Sequence, residues 1–434
     1  MTGLITEISD SIKDYWPPKA VDTLLQENIV FRPKLIRGLP PGARISDGYE
    51  IRFAARLEPS QNTSQIADGG NFPIQKDATD RKFTFKPTIF AGSYVVGGLT
   101  RYVANSNKAS FNGGEMKRRP QEVMSNLGKN IEMTYVGTTG NGIRGYVESE
   151  PAANQIKIKQ PYGTRLLRPN MYVSERIAAA STVRDTIDLR QLTDVDDDNR
   201  TVTYSGADQT PVADDPIYVV PESALAGATL GSMHANGLRG QVGNSDDLLL
   251  FHALDRTAAG NRKLNSVVDE NGGERRNVSE QLLIRVAHKT ARLSEKRPST
   301  LIMGEGQIEK YIEHVAPQKR FPAQGRQRPG KSTGYVISEL NFATPYGEME
   351  FMLSFDCLPG EIRGVSWDCF FFYSALDAQW MSGDEATLHL LPGSNGATHK
   401  FAWGAYLISI ENWGTDYAIA HFVIKDLKDP LLGD

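Results

Sequence analysis

The sequence predicts an α+β fold, with strands and helices in separate blocks and a small six-stranded barrel or sandwich after the first long helix. Three observations predict it. A strand-like hairpin with a long polar tip precedes one long amphipathic helix over residues 119–136. Short strands spaced by turn signals follow from 140 to 221. Segments at helical spacing then give way to a strand-rich stretch that begins at Tyr335.

The long helix is the best-marked element. Pro120 suits a first helical position, where its missing N–H costs nothing and its φ is already helical. Val123, Leu127, Ile131 and Tyr135 recur every four residues, with Met124 beside them, and make one apolar stripe. At 1.5 Å per residue the helix spans about 25 Å. Gly128 in its middle costs about 1 kcal/mol against Ala, a cost that close packing against another backbone would explain.

A chain of 434 residues allows two or three domains and a substantial core. Lys and Arg number 48 against 52 Asp and Glu, a net charge of −4, which argues against a dedicated nucleic-acid binder. The two cysteines, Cys357 and Cys369, are too few for a disulfide framework and sit in apolar surroundings, so they read as buried free thiols. The N-terminal stretch has no basic and apolar regions of a signal peptide, and no apolar run is long enough to span a membrane. The expectation is a protein made and kept in a reducing cytoplasm.

Residues 1–46 read as an arm, broken at Trp16-Pro17-Pro18 and again at Pro40-Pro41-Gly42, which must lie on something else. Alternation at Tyr49, Ile51, Phe53, Ala55 and Leu57 gives a strand, and Phe83, Phe85 and Ile89 give its return. Between them, 58–79 holds Ile66, Phe72 and Ile74 and almost no other large apolar residue. Loops of that length are functional tips or disordered surface loops. After the helix, candidate strands at 143–147, 155–159, 168–174, 182–189, 201–204 and 216–220 suggest a six-stranded barrel or sandwich. Helices are expected at 248–258 behind Ser245, at 279–296 behind Asn277 with Val278, Leu282, Val286 and Leu293 inward, and around Ile308, Tyr311, Ile312 and Val315. A short buried strand is expected at 299–303 and further strands at 335–338, 349–354, 369–373, 388–391, 405–410 and 417–425.

The sharpest motif is Gly325-Arg-Gln-Arg-Pro-Gly330-Lys331-Ser332, a literal match to a phosphate-binding loop. Such a loop needs a strand before it and a helix after it. Here a helix ends at Pro317 and 333–338 heads into a strand, so the context is reversed. What remains is a basic loop of Lys319, Arg320, Arg326, Arg328 and Lys331, either a solvated surface or an electrostatic docking site for an acidic neighbour or nucleic acid. Asp194, Asp196, Asp198 and Asn199 start like a calcium loop, but Asn199 replaces the required Gly and Ser205 the bidentate Glu, so a β-turn is preferred. The seven histidines are scattered without metal spacing, and no nucleophile elbow or dinucleotide fingerprint stands out.

The order of parts resembles a major capsid protein of tailed bacteriophages, with the Hong Kong 97-type fold. The resemblance is carried by the strand 81–89 leading through 91–104 into the helix 120–136, by the helix–strand–helix of 279–317 around Arg297-Pro298-Ser-Thr-Leu-Ile-Met303, and by the closing strands to Asp426. It implies an N-terminal arm at 1–47 and an extended loop, the E-loop, at 48–92. It also implies a P-domain part at 93–139 with the helix as its spine, an inserted β-barrel-like domain at 140–222, an A-domain at 223–333, and a strand-rich closing segment at 334–434. Phe72, Ile74, Lys76 and Arg81 would then make inter-subunit contacts at the E-loop tip, and the basic loop would be a docking loop. The implied function is a structural subunit, not an enzyme, without cofactor or metal. It would form hexamers and pentamers of an icosahedral head, built in the host cytoplasm and enclosing double-stranded DNA in the virion.

The implied partners are further copies of the chain, a portal protein, a decoration protein, and packaged DNA in non-specific contact. The short arm implies a separate scaffolding protein, and the start at Met1 carries the expectation of no removed leader. Extended arms and loops suit this task because they supply large repeated interfaces without a larger core. Two alternatives stay open: an encapsulin-like shell around a cargo enzyme, and a cytoplasmic enzyme with a dispersed site. If the phosphate-loop match is a decoy, Lys331→Ala leaves the protein as indifferent to ATP and magnesium as the wild type. Saturable micromolar nucleotide binding that the variant loses would reverse that reading.

Overall fold

Alternating burial gives the hairpin its two faces. In the computed structural model, β1 (Arg44–Ser46), β2 (Glu50–Glu58) and β3 (Thr79–Phe85) form an antiparallel three-stranded sheet. The structure describes residues 38–40, 42–46, 50–58, 79–97, 111–140, 142–175, 190–205, 211–219, 235–315, 341–344, 347–381, 389–392 and 399–433. Ile51 stands opposite Phe85 and Phe53 opposite Phe83, so one face of the hairpin is apolar and buried. The return strand stops at Phe85 rather than running to Ile89. Pro87 lacks an N–H for the ladder, and Ile89 belongs to the next strand, β4 (Thr88–Gly97).

The chain divides into two compact units, one of residues 1–38, 87–133 and 372–413, the other of 39–86, 134–371 and 414–434. The core of the first is a sheet backed by a helix. β20 (His399–Thr415) pairs antiparallel with β4 from Ala402 opposite Gly97 to Glu411 opposite Thr88, and the same sheet holds β18 (Phe370–Trp380) and β19 (His389–Pro392). Tyr94, Val96 and Ala405 form its inner face, against Val123 of α1 (Phe111–Gly137) and Trp380 and Trp403. Gly92 permits the close approach, since a Cβ there would lie 2.8 Å from Val123 Cγ1. Leu127 and Ile131 are buried as the four-residue spacing predicts. α1 starts at Phe111, however, so Pro120 lies inside it rather than at its first turn. The ring is buried there, and packing offsets the backbone hydrogen bond that proline cannot make.

The second unit contains a closed barrel in the order β10-β5-β6-β9-β8-β7. Its strands are β5 (Ile143–Ser149), β6 (Gln155–Ile158), β7 (Tyr172–Glu175), β8 (Arg190–Asp196), β9 (Thr201–Tyr204) and β10 (Pro216–Val219). Val147, Ile156, Ile158, Val173, Leu192, Val202 and Ile217 fill its interior. The strand expected at 182–189 lies outside the described residues. β8 instead uses 190–196, where Leu192 points inward and Asp194 stays exposed. The β8–β9 connection is the expected turn: Asn199 donates from its backbone N and its side-chain amide to the Asp196 carboxylate at 3.1 and 2.7 Å.

Beside the barrel, the same unit holds the hairpin β11 (Leu250–Phe251) and β12 (Leu254–Asp255), then β13 (Val267–Asp269), β14 (Thr300–Met303), β15 (Asn341–Thr344), β16 (Gly347–Leu353), β17 (Ile362–Val365) and β21 (Phe422–Ile424). The last six make one mixed sheet, β13-β21-β17-β14-β16-β15, with the wholly buried β14 inside it. α2 (Glu280–Ser294) and α3 (Glu305–Val315) share its core through Leu282, Leu283, Val286, Ile308 and Tyr311. Ser279 rather than Asn277 caps α2, accepting from Leu282 N at 3.3 Å. Leu293 and Ile312, expected inward, are 45% and 40% exposed.

The helix expected at 248–258 is absent, because a buried arginine pulls that stretch into loops. Arg256 donates to the carbonyls of Leu264, Asn244 and Gly240 at 3.0, 2.8 and 2.8 Å, and the hairpin β11–β12 turns at His252 and Ala253 with φ of 48° and 68°. That turn carries the root of the long hairpin. The His252 ring lies 4.3 Å from Phe251, 5.2 Å from Phe83, 6.0 Å from Phe371 and 6.2 Å from Phe53 and Phe85. Its Nε2 meets the Thr415 carbonyl at 3.1 Å, and its own carbonyl accepts from Thr84 N.

Leu127→Ala and Ile131→Ala each remove a buried side chain and should cost about 2–5 kcal/mol. Insoluble or destabilised protein is expected, and wild-type melting of both variants would misplace the apolar stripe. A second prediction concerns pH. Burial pushes the His252 imidazole down to about 3, so the unfolded chain takes up a proton first as pH falls. The associated stability is complete above about pH 6.5 and is lost below it, by about 2 kcal/mol at pH 5. His252→Asn should therefore shrink the fall in stability between pH 7 and 5 in denaturant titrations, whatever its own starting stability. An unchanged fall would place the pH sensitivity elsewhere.

Candidate assembly surfaces

The hairpin root is a built support. Counting along its inner face, the pairs Ile51–Phe85 and Phe53–Phe83 are apolar, and the next pair is Ala55 opposite Arg81. Ala55 is buried and Arg81 exposed, so at this pair the inner face turns from wholly apolar to mixed. The other face carries exposed Ala54 and Lys82 opposite each other, and Glu50 holds Arg52 through a 2.6 Å hydrogen bond. Of the residues the sequence assigns to the tip, Phe72, Ile74 and Lys76 lie outside the described residues, and Arg81 is the one placed. Lys319, Arg320, Arg326, Arg328 and Lys331 also lie outside them, as does the whole phosphate-loop match. The described chain before that match is α3 and the described chain after it is β15.

A second surface was not legible in the sequence. The outer face of β4 exposes Ile89 at 64% and Val95 at 47%, with Ala91 and Ser93 between them. On the adjoining β20, Ile410, Ile408 and Tyr406 stand opposite Ile89, Ala91 and Ser93. Met381, 49% exposed, joins them through its N–H to the Tyr406 carbonyl at 2.8 Å. Both parities of β4 are apolar, so alternation in the sequence could not say which side faces the helix. The arrangement offers area for binding rather than a reactive centre.

Within the second unit the barrel is tied to the mixed sheet by buried charge. Arg239 donates to Tyr162 Oη at 2.8 Å and lies 3.5 Å from Asp247 and 3.7 Å from Glu361. Lys425 reaches Asp247 at 3.0 Å, and Arg363 pairs with Glu361. Burial opposes the Asp247 charge, yet Arg363, Arg239 and Lys425 hold its carboxyl below the usual range. Arg165 adds a second tie, donating to Glu305 at 2.7 Å and to the Cys357 carbonyl at 2.6 Å. Both cysteines are buried free thiols, and burial pushes Cys357 up to about 12, which keeps it protonated. His421 is likewise buried, pushed down to about 3, and held by Ser366 N and Thr415 Oγ1. No group of metal-binding side chains occurs among the described residues, and none of their helices is long and apolar enough to cross a membrane.

No protein-family model matches the chain, and no curated protein matches it. Among solved structures, the chain is similar to one in the capsid asymmetric unit of cyanophage A-1(L), at 11% identity and a TM-score of 0.48, over 87% of this chain and 88% of that one. It is also similar to the capsid of Myoviridae phage XM1, at 7% identity and a TM-score of 0.40, over 92% of each chain. A third is the capsid of an empty GTA particle, at 8% identity and a TM-score of 0.42, over 93% of this chain and 92% of that one. These structural neighbours of the chain are capsid proteins.

Proposed function

We propose that this chain is a major capsid protein, a structural subunit that assembles with copies of itself into the closed head of a tailed phage enclosing double-stranded DNA. One observation carries the reading: a hairpin whose root is fixed in an aromatic cluster and whose two strands stay paired out to Glu58 and Thr79. A subunit core has no need of such an extension, whereas a neighbouring subunit does. The α1-backed sheet with its exposed apolar face supports the same reading, as does the absorption of the buried histidines and cysteines into packing.

In this reading 48–92 is the E-loop, α1 the spine of a P-domain, and the α2–β14–α3 body part of an A-domain, with the barrel as an insertion. Closed symmetry makes the assemblies pentamers and hexamers. A scaffolding protein directs assembly, a portal protein is a further partner, and the particle is assembled in the host cytoplasm. Electron microscopy of the expressed chain, with its scaffold, tests this: closed icosahedral particles are expected. A monodisperse monomer under all assembly conditions would sink it, and a protein cargo in place of DNA in particles from infected cells would favour an encapsulin-like shell.

The hairpin gives the sharper prediction. Replacing residues 61–78 with a short Gly-Ser turn should leave circular dichroism and melting of the free subunit nearly unchanged and abolish closed shells. In intact particles Phe72 and Ile74 should be shielded by a second subunit. A deletion variant that still builds normal particles would overturn the assignment of the tip.

A further inference from the structure

We infer that the exposed face of α2 is a binding surface for duplex DNA, which it holds through the phosphate backbone. α2 turns Leu282, Leu283, Val286 and Ala287 into the core. Its other side carries Arg285, Lys289 and Arg292 at helical spacing, and Lys296 and Arg297 follow directly after its end. All five are exposed. From Arg285 to Arg292 the row covers about 10 Å of helix axis.

The charge on this face is poorly neutralised. Arg285 is shared with Asp269 at 3.1 Å, and Glu295 is the one carboxylate among the described residues lining the cleft along the row. Lys289, Arg292 and Lys296 make no ion pair among the described residues. Cations elsewhere in the same unit do: Lys157 with Glu148 at 3.0 Å, Lys310 with Glu313 at 3.2 Å and Lys425 with Asp247 at 3.0 Å. Like charges at these spacings repel one another, and a polyanion laid along the row relieves that repulsion. Asp269 and Glu295, set against five cations, leave a local positive surface on a chain of net charge −4.

A nucleic acid fits this face better than an acidic protein segment. Protein docking concentrates its energy in buried aromatic and apolar anchors. Leu293, 45% exposed, is the one large apolar side chain offered beside the row among the described residues. Phosphodiester backbone needs no such anchor: cations on long stems suffice, binding is independent of sequence, and counterion release supplies the affinity. The inference deepens the capsid reading by naming a surface that enclosed DNA would meet, and its biological occupant rests on that reading. The binding itself is measurable on the unassembled chain.

The test uses the full-length unassembled protein, a fluorescent random-sequence duplex, and salt from about 50 to 200 mM. Wild type should bind with an affinity that falls steeply with salt. The variant carrying Lys289→Gln, Arg292→Gln and Lys296→Gln should bind at least about tenfold more weakly at low salt, with a log–log salt slope shallower by about 2–3. If the triple variant misfolds, Lys289→Gln alone should shift the slope by about 1. Unchanged affinity and slope would overturn the inference. So would tighter binding of a poly-glutamate peptide of equal charge, since an acidic protein segment would then be the occupant. Particle formation is scored separately: wild-type shells alongside undiminished DNA binding by the variant would remove this inference and leave the capsid reading standing.

Discussion

A neutral imidazole enclosed by five phenylalanine rings is the contact on which the hairpin depends. A two-stranded hairpin is marginal in water on its own. Here Phe53, Phe83 and Phe85 are drawn from the two hairpin strands, Phe251 and His252 from the turn of β11–β12, and Phe371 from the start of β18. Four separate stretches of chain thus meet at one ring. Histidine suits the place because a phenylalanine could pack there but could not reach the Thr415 carbonyl, which would otherwise be buried with one fewer partner. Burial keeps the ring uncharged at neutral pH, so the cluster gains hydrogen bonding without a buried cation.

The barrel is fixed by a different kind of contact. Ion pairs out of water repay their desolvation only with good geometry and further hydrogen bonds. The group of Arg239, Asp247, Glu361, Arg363 and Lys425 approaches that condition through shared partners, with Tyr162 of the barrel as a neutral member. Packing alone would tolerate the barrel at several angles. Directional contacts from Tyr162 and Arg165 narrow that choice. Close backbone contact reinforces it: Gly237 and Gly240 lie against Thr138 and Thr139, at the exit of α1, where any side chain would collide with a carbonyl oxygen.

Free surfaces and buried ones divide the work. Buried Arg256 holds loops, and buried Arg239 helps join the barrel to the mixed sheet. Among the exposed groups, two sets stand together: an apolar sheet face on β4 and β20 and a cationic helix face on α2. Both are broad and shallow, which suits extended partners better than small molecules.

The sequence by itself determined the elements whose signal is local. The four-residue stripe of α1, the alternation at Ile51–Phe53 and Phe83–Phe85, the buried run of β14 and the Asp196–Asn199 turn all follow from periodicity or side-chain-to-backbone bonding within a few residues. Tertiary structure decided the rest. Residues 248–258 have the apolar content of a helix, yet Arg256 gains more by serving carbonyls up to 16 residues away than the stretch gains from helical bonds. Pro120 reads as a helix start, but burial of its ring lets α1 continue through it. Leu293 fits a helical face by number and is exposed by place, because only the sheet beneath α2 defines where that face ends. The candidate surfaces follow the same division. The length of the hairpin tip is written in the sequence, whereas its supporting cluster, the outer side of β4 and the exposed cationic face of α2 depend on contacts between residues far apart in the chain. Periodicity reports how a segment is wound, and only packing reports what it is wound against.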